Sequence, residues 1–221
     1  YGTNYTPNID FDFQNDEYLS NVELGFDCNA YSGDKFTDQS LFRKTISISN
    51  PTFRFIHINE FEDGVLFYNR NSGFKVNNLN LPPLGDFTVE CFIQPIHNFT
   101  SGNWLTVFSS GTFGQQGCMK LAVSTSSSTT NVTINFQIFT NAWVSLYSKV
   151  IGDGYAKMHC ALTRKDGVFR CYIDGVLVAT ITNQTNYEMK SGFWIGNHNA
   201  SSYEYWLGTI SGVRVTNRAR Y

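Results

Sequence analysis

The sequence predicts an all-β fold, an antiparallel two-sheet jelly-roll sandwich, and three observations predict it. Residues 159–181 read HCALTRKDGVFRCYIDGVLVATI, in which apolar side chains alternate with small or polar ones on either side of Asp166-Gly167 and Asp174-Gly175. Alternation interrupted by Asp-Gly is a strong hairpin signal, because a tight two-residue reversal needs positive φ at both central positions. Similar short runs recur along the chain between turn residues, at the spacing of an antiparallel sandwich. Each run has one apolar side, and two such sheets bury those sides against one another.

Taken in order, residues 1–18 are polar and acidic and read as an extended N-terminal arm ahead of a domain spanning 19–221. Residues 21–26 form a short strand with Val22, Leu24 and Phe26 on one side. Residues 45–58 alternate through Ile46, Ile48, Phe53 and Phe55, and Asn50-Pro51 turns or edges the join. Two short strands fit residues 65–76, and Leu81-Pro82-Pro83 is a stiff connector before a strand over 87–93. Further strands fall at 104–109, 119–124, 132–139 and 144–148, with the polar run STSSSTT at 124–130 as an exposed turn. Near the end the apolar parity changes between Ile210 and the pair Val213 and Val215. A bulge at Ser211-Gly212 is therefore expected, since parity switches only when a residue is inserted.

Composition narrows the function classes. The 221 residues are 42% apolar and 16% aromatic, enough for one large core, and only 15% charged with a net charge of −2. That balance offers no basic patch for nucleic acid or an anionic membrane. No apolar run approaches the ~20 residues a spanning helix needs. The chain opens on Tyr1 without a signal-peptide pattern, which reads as processing or as excision from something longer. Cys91, Cys160 and Cys171 occupy inward positions of the best strands, so they are expected as buried, reduced thiols of a protein folded in a reducing compartment; Cys28 and Cys118 are left undecided. The Asn-x-Ser/Thr triplets at Asn4, Asn98, Asn131, Asn183 and Asn199 number close to the about four that so Asn- and Ser/Thr-rich a chain gives by chance.

Four separated blocks resemble one family. The hairpin at 159–181 is similar to the "H-[IV]-A-L-[VT]-R…F-R-L-Y-[VI]-D-G" segment of concanavalin A-like, laminin-G-like jelly rolls. NVELGFDCNAYSGDKFTDQS at 21–40 resembles their opening strand, DFTVECFIQP at 86–95 their "D-F-T-I-E-F-W-V-x-P" strand, and 193–221 their closing block. The resemblance implies the same sandwich over 19–221. Its ending, R-V-T-N-R-A-R-Y, is commonest in virion proteins of tailed bacteriophages, especially fibres, which implies a viral context.

Chemistry points away from catalysis. Glycoside hydrolysis needs two carboxylates about 5–9.5 Å apart. The acid cluster Glu60-Phe61-Glu62-Asp63 reads instead as a solvated loop, and Glu90 as a wet-face residue. His57, His97, His159 and His198 are scattered and no Gly-x-Ser-x-Gly elbow occurs, so His159 reads as a structural imidazole. No zinc spacing exists, and no catalytic residue, metal ligand or cofactor is assigned. The resemblance leaves calcium open: Asp27 and Asp38 match family aspartates, while Asn69 and Ser211-Gly212 stand where acidic ligands are common.

Binding by aromatics remains. Sugars stack C–H faces on Trp and Tyr and pair hydroxyls with Asn, Asp and Gln. Residues 197–206 have that composition and suit a rim loop, with Trp206 inward beside Ile210. Asn197, His198, Asn199, Tyr203 and Tyr205 are the candidate glycan contacts, Tyr203 and Tyr205 pointing outward. Trp104, Trp143 and Tyr147 have similar composition on other loops or edges, and Trp194 alternates with Phe193 and Ile195. The expectation is a non-enzymatic phage virion protein, on a tail fibre or the capsid surface, that docks to other virion subunits as a homo-oligomer and binds host glycan, without nucleic acid or membrane insertion. The alternative is a secreted, extracellular glycan-binding adhesin.

Overall fold

A computed structural model describes residues 19–26, 40, 42, 44, 46–50, 53–59, 62–68, 72–79, 81, 85–95, 104–112, 114–125, 132–150, 156–183, 187, 192–198 and 204–221. The expected arm at 1–18, the calcium candidates Asp27 and Asp38, Asn69, and the Pro82-Pro83 connector lie outside them. Among the described residues the chain forms strands and one single-turn 3-10 helix, Leu19–Asn21. No described helix is long and apolar enough to cross a membrane.

Among the described residues every strand pairing is antiparallel and the strands form two sheets. The first runs β13 (Val176–Thr182), β12 (Val168–Ile173), β11 (Met158–Lys165), β6 (Phe87–Pro95), β15 (Gly208–Thr216), β4 (Glu62–Phe67), β3 (Phe53–Asn59). β1 (Val22–Phe26) shares the β15 edge with β4: Gly208, Thr209 and Ile210 pair with β4, while Val213 to Thr216 pair with β1. The second runs β10 (Trp143–Val150), β9 (Val132–Phe139), β8 (Met119–Thr125), β7 (Trp104–Ser110), β14 (Phe193–Ile195), β5 (Gly73–Val76), β2 (Ile46–Asn50). Pro51 lies outside the described residues, and the strands on either side of the turn expected at Asn50-Pro51, β2 and β3, belong to different sheets, as do β4 and β5. Glu62 and Asp63 open strand β4 and do not belong to the loop expected for that acid cluster.

Both Asp-Gly reversals take the mirror-image turn. Asp166 and Gly167 have φ of 50° and 77°, Asp174 and Gly175 of 50° and 78°. This twist matches that of the flanking strands, and it sets Cys160 opposite Ile173 and Cys171 opposite Leu162. The β15 bulge falls where the parity change places it: Ser211 pairs with Phe92 and Arg214 with Glu90, so one extra residue lies on β15. Ile210, Val213 and Val215 thereby all face inward and are buried.

Aromatic rings pack among the aliphatic side chains that fill the space between the sheets. Phe108 lies parallel-offset to Phe193 at 5.6 Å, while Phe67 meets Phe74 at 5.5 Å and Phe87 meets Tyr187 at 4.7 Å, both edge to face. Such contacts add about 0.5–1.5 kcal/mol each beyond area burial. Gly196 is required here: its φ is 77°, and a Cβ would stand 2.4 Å from the Phe67 ring. Trp206 is buried in the core, as expected. Cys91, Cys160 and Cys171 are buried in the same layer as free thiols, with Cys91 directly opposite Cys160, and Cys118 is also buried and free. Burial pushes the thiols of Cys91, Cys160 and Cys171 well up, and that of Cys118 up to about 12.

Glu90 corrects an expectation. It points to the outer face of the first sheet but is only 1% exposed, because the segment after β15 folds across it. Arg214 Nε donates to its Oε1 at 2.7 Å, His159 Nε2 lies 3.2 Å from its Oε2, and Tyr221 Oη donates to Oε2 at 2.6 Å. Arg220 Nε stands 3.5 Å from Oε1. Thr88 Oγ1 donates to the Arg218 carbonyl and accepts from the Arg220 amide, fastening the segment alongside. Burial alone would raise the Glu90 carboxyl, but the Arg214 charge and the contacts from His159 outweigh it, and it is lowered to about 2. His159 is thus the structural imidazole expected.

Candidate functional site

The outer face of the second sheet follows from its pleat. Inward side chains alternate along β8 (Met119, Leu121, Val123) and β9 (Val132, Ile134, Phe136, Ile138). Lys120, Ala122 and Ser124, and Thr133, Asn135 and Gln137, consequently point the other way. Trp104 and Thr106 on β7 join them, since Leu105 and Val107 face the core. Two cross-strand rows result. In one, Ser148 Oγ donates to Asn135 Oδ1 at 2.7 Å and Asn135 Nδ2 donates to Ser124 Oγ at 3.0 Å. In the other, Lys120 pairs with Gln137, whose Nε2 donates to Ser145 Oγ at 3.4 Å.

Lys120 is the pivot. Its ammonium lies 4.3 Å from the Trp143 ring centre and 4.7 Å from that of Trp104. It donates to both carboxylate oxygens of Glu204 at 3.0 Å, and Thr106 Oγ1 donates to Oε2 at 3.2 Å. Cation–ring contacts of this kind are worth about 0.5–2 kcal/mol each. The side chain is nearly buried, so the Glu204 pair gains from a lowered local dielectric. Trp143 and Trp104 remain half-buried beside the polar rows.

The loop leading out of β14 closes one end of this face. The His198 amide donates to the Glu204 carbonyl at 3.1 Å, Asn197 bridges Tyr205, and Ser109 Oγ donates to the Asn197 carbonyl at 3.2 Å. The His198 ring meets Trp143 edge to face at 5.9 Å. Burial, with the Lys120 charge adding to it, lowers the His198 imidazole to about 3, so the ring is neutral. Trp194 lies on the same face under the Lys75 ammonium, 5.2 Å from its ring.

The structure revises the loop residues. Tyr205 does not point outward: it is 3% exposed and packs into the core cluster. Alternation from inward Trp206 predicts an outward Tyr205, but both are buried, held by the Asn197–Tyr205 bridge and the Trp206 N–H donated to the Gly196 carbonyl. Asn197 and His198 are each fully buried, so they offer no surface to a ligand in this conformation. Asn199 and Tyr203 lie outside the described residues. Lys120 and Glu204, which join the sheet to the loop, were not singled out from sequence. The outward parity of Lys120 between Met119 and Leu121 was the signal available.

Among the described residues this face carries one carboxylate, Glu204, already held by Lys120, whereas glycoside hydrolysis needs two. No group of three or more His, Cys, Asp or Glu side chains among the described residues could hold a metal ion. The arrangement presents indole edges beside hydroxyl and amide groups, a surface suited to a polar ligand with apolar faces.

A family model described as the concanavalin A-like lectin/glucanases superfamily matches residues 69–221. The chain belongs to that family. No curated protein matches it in sequence. Among solved structures it is similar to the binding domain of botulinum neurotoxin serotype D, with a TM-score of 0.68 and 13% identity over 92% of this chain and 49% of that one. A structure concerned with cell entry of botulinum neurotoxin type C, dependent upon interaction with two ganglioside molecules, has a TM-score of 0.67 and 12% identity over 92% and 49%. Domain 4 of AbnA, an extracellular GH43 arabinanase from Geobacillus stearothermophilus, in complex with arabinotriose, has a TM-score of 0.64 and 14% identity over 90% and 93%. The chain thus spans about half of the toxin structures and nearly all of the arabinanase domain. At these identities the likeness is one of fold.

Proposed function

We propose that this domain is a non-catalytic glycan-binding module and that the outer face of the second sheet is its binding surface. One observation carries the reading: two half-buried tryptophans, Trp104 and Trp143, flank Lys120 beside the rows Ser124–Asn135–Ser148 and Gln137–Ser145. The arabinanase domain in complex with arabinotriose and the ganglioside-dependent toxin share this fold and support a sugar ligand. In this reading Asn197, His198 and Tyr205 hold the loop in place, and the half-buried indoles of Trp104 and Trp143 make the contact.

The finer context is a tailed-phage virion protein, on a tail fibre or the capsid surface. The R-V-T-N-R-A-R-Y ending and the reduced-thiol pattern support it; a secreted adhesin is the rival. Glycan-array binding of the parent chain, Trp104→Ala and Trp143→Ala tests the site. Loss of signal in both variants is expected, while no binding by the parent, or unchanged binding by the variants, removes the reading. Detection of the chain in purified virions by mass spectrometry tests the context, and bridged cysteines or occupied sequons in native material would favour secretion.

A further inference from the structure

Charge is spread unevenly along the chain. Residues 91–148 hold one side chain among Lys, Arg, Asp and Glu, which is Lys120, and residues 191–203 hold none. At the chain's 15% charged content a stretch as long as 91–148 would carry about nine. These two stretches supply β7, β8, β9, β14 and most of β10, together with the segments that join β6 to β7, β7 to β8, β8 to β9 and β9 to β10. The proposed binding surface is therefore built from a nearly uncharged part of the chain.

The one exception is cancelled where it stands. Lys120 donates to both carboxylate oxygens of Glu204 at 3.0 Å, and its side chain is 3% exposed. Glu204 is the more exposed partner, at 14%, so a second anion brought to this ammonium meets a carboxylate already in place. Burial and the Lys120 charge keep the His198 ring neutral. Lys149 pairs with Ile134, whose side chain faces the core, so it leans to the other side of the sheet. Lys75 shares the cross-strand row Lys120–Ser109–Trp194–Lys75, but three strand spacings of about 4.8 Å put its backbone roughly 14 Å from that of Lys120. That is beyond the about 8 Å at which physiological salt screens exposed charges from one another. The other outward polar groups of β8 to β10, Ser124, Thr133, Asn135, Gln137, Ser145 and Ser148, are all hydroxyls and amides.

On the basis of the glycan-binding role proposed for this face, we infer that its ligand is a neutral oligosaccharide, and that the Lys120–Glu204 pair closes the site to sugars bearing carboxylate, sulfate or phosphate. A neutral sugar brings hydroxyls that can exchange hydrogen bonds with the Ser, Thr, Asn and Gln side chains, and C–H faces for Trp104 and Trp143. An acidic sugar must shed water from its charge on docking. Recognition of such a group ordinarily supplies an Arg or Lys partner. With Lys120 held by Glu204, no cation beside the two indoles offsets that cost.

A glycan array of matched pairs tests it, each neutral oligosaccharide set beside the same core bearing sialic acid, uronate or sulfate. Parent-chain signal is expected on neutral members, with each acidic counterpart weaker by about tenfold, equivalent to about 1.4 kcal/mol. Affinity for the best neutral member, followed by titration calorimetry, should change less than about twofold between about 20 and about 500 mM NaCl, since no ion pair forms across the interface. Glu204→Gln leaves the Lys120 ammonium without its counter-ion. In variant protein with the parental circular dichroism, acidic members should gain several-fold relative to neutral ones. Acidic members bound as tightly as their neutral counterparts, a steeper fall with salt, or unchanged discrimination in folded Glu204→Gln would overturn the inference and leave the glycan reading standing. Absence of signal on every glycan would remove both.

Discussion

Tyr221 Oη donates a 2.6 Å hydrogen bond to Glu90 Oε2, tying the last residue of the chain to a buried carboxylate in the middle of the first sheet. The Tyr221 ring also meets Tyr172 edge to face at 5.7 Å, so the contact is packed as well as bonded. Tyr221→Phe keeps the ring and deletes the donor. Removing a hydrogen bond to a charged, buried acceptor costs about 1.5–3 kcal/mol. Urea denaturation should show that loss with little change in the slope, and a loss below about 0.5 kcal/mol would mean that Glu90 does not depend on the hydroxyl.

Glu90 itself should matter more. Its substitution by Leu leaves Arg214 buried without its carboxylate, and breaking one side of a buried pair costs about 3–5 kcal/mol. Glu90→Leu combined with Arg214→Met removes both charges and should recover a substantial part of that loss. Equal stability of the single and double variants would show that the charge pair is not what holds this face.

Acid should unfold the protein in two stages with different owners. The His198 imidazole is lowered from 6.5 to about 3, so the unfolded chain binds a proton that the folded chain refuses. Stability from this source is complete above pH 6.5 and falls as pH drops toward 3. Glu90 is lowered from 4.5 to about 2, so its contribution holds above pH 4.5 and falls between 4.5 and 2. Melting temperature followed against pH should decline across the first window in the parent. In His198→Gln that early decline should flatten while the drop below pH 4.5 remains; an unchanged early slope would reassign it to other groups.

Thiol chemistry gives a fourth check. Cys91, Cys118, Cys160 and Cys171 are buried and held protonated by that burial, and the thiolate is the reactive species. A bulky maleimide mapped by peptide mass spectrometry should leave all four unmodified in the native protein and modify them in denaturant. Rapid native labelling of any one would contradict its place between or beneath the sheets.

What was legible in sequence followed from local periodicity. The two Asp-Gly turns, the inward cysteines and the β15 bulge each follow from counting positions by two, because one residue of slip moves a side chain to the opposite face. Glu90 and Tyr205 escaped because parity says which face a residue points to, and nothing about what lies on that face. Glu90 does point outward, and the chain end then covers it. Tyr205 lies in an isolated bridge to Asn197 outside the strands, where strand alternation no longer applies. The Lys120–Glu204 pair joins residues 84 positions apart, a separation at which no local pattern operates. The R-V-T-N-R-A-R-Y segment, similar to the family's closing block, supplies Arg214, Arg220 and Tyr221 to the cover over Glu90, so a motif that marks kinship also holds the fold.

Lys120→Met separates the stabilising role of that distant pair from any role in binding. Methionine preserves much of the apolar stem but removes the ammonium from between Trp104 and Trp143 and leaves Glu204 with the Thr106 hydroxyl but without its ionic partner. The expected loss is about 1–3 kcal/mol, the penalty for stranding a nearly buried charged group. Because the ammonium no longer sits over either ring, the tryptophan emission should change in intensity, and acrylamide should quench it more readily as the loop from β14 loosens. Adding Glu204→Gln should restore part of the stability by removing the stranded charge, without restoring the emission. A Lys120→Met protein with parental stability and parental quenching would show that the loop is held by its backbone contacts to Asn197 and His198 alone.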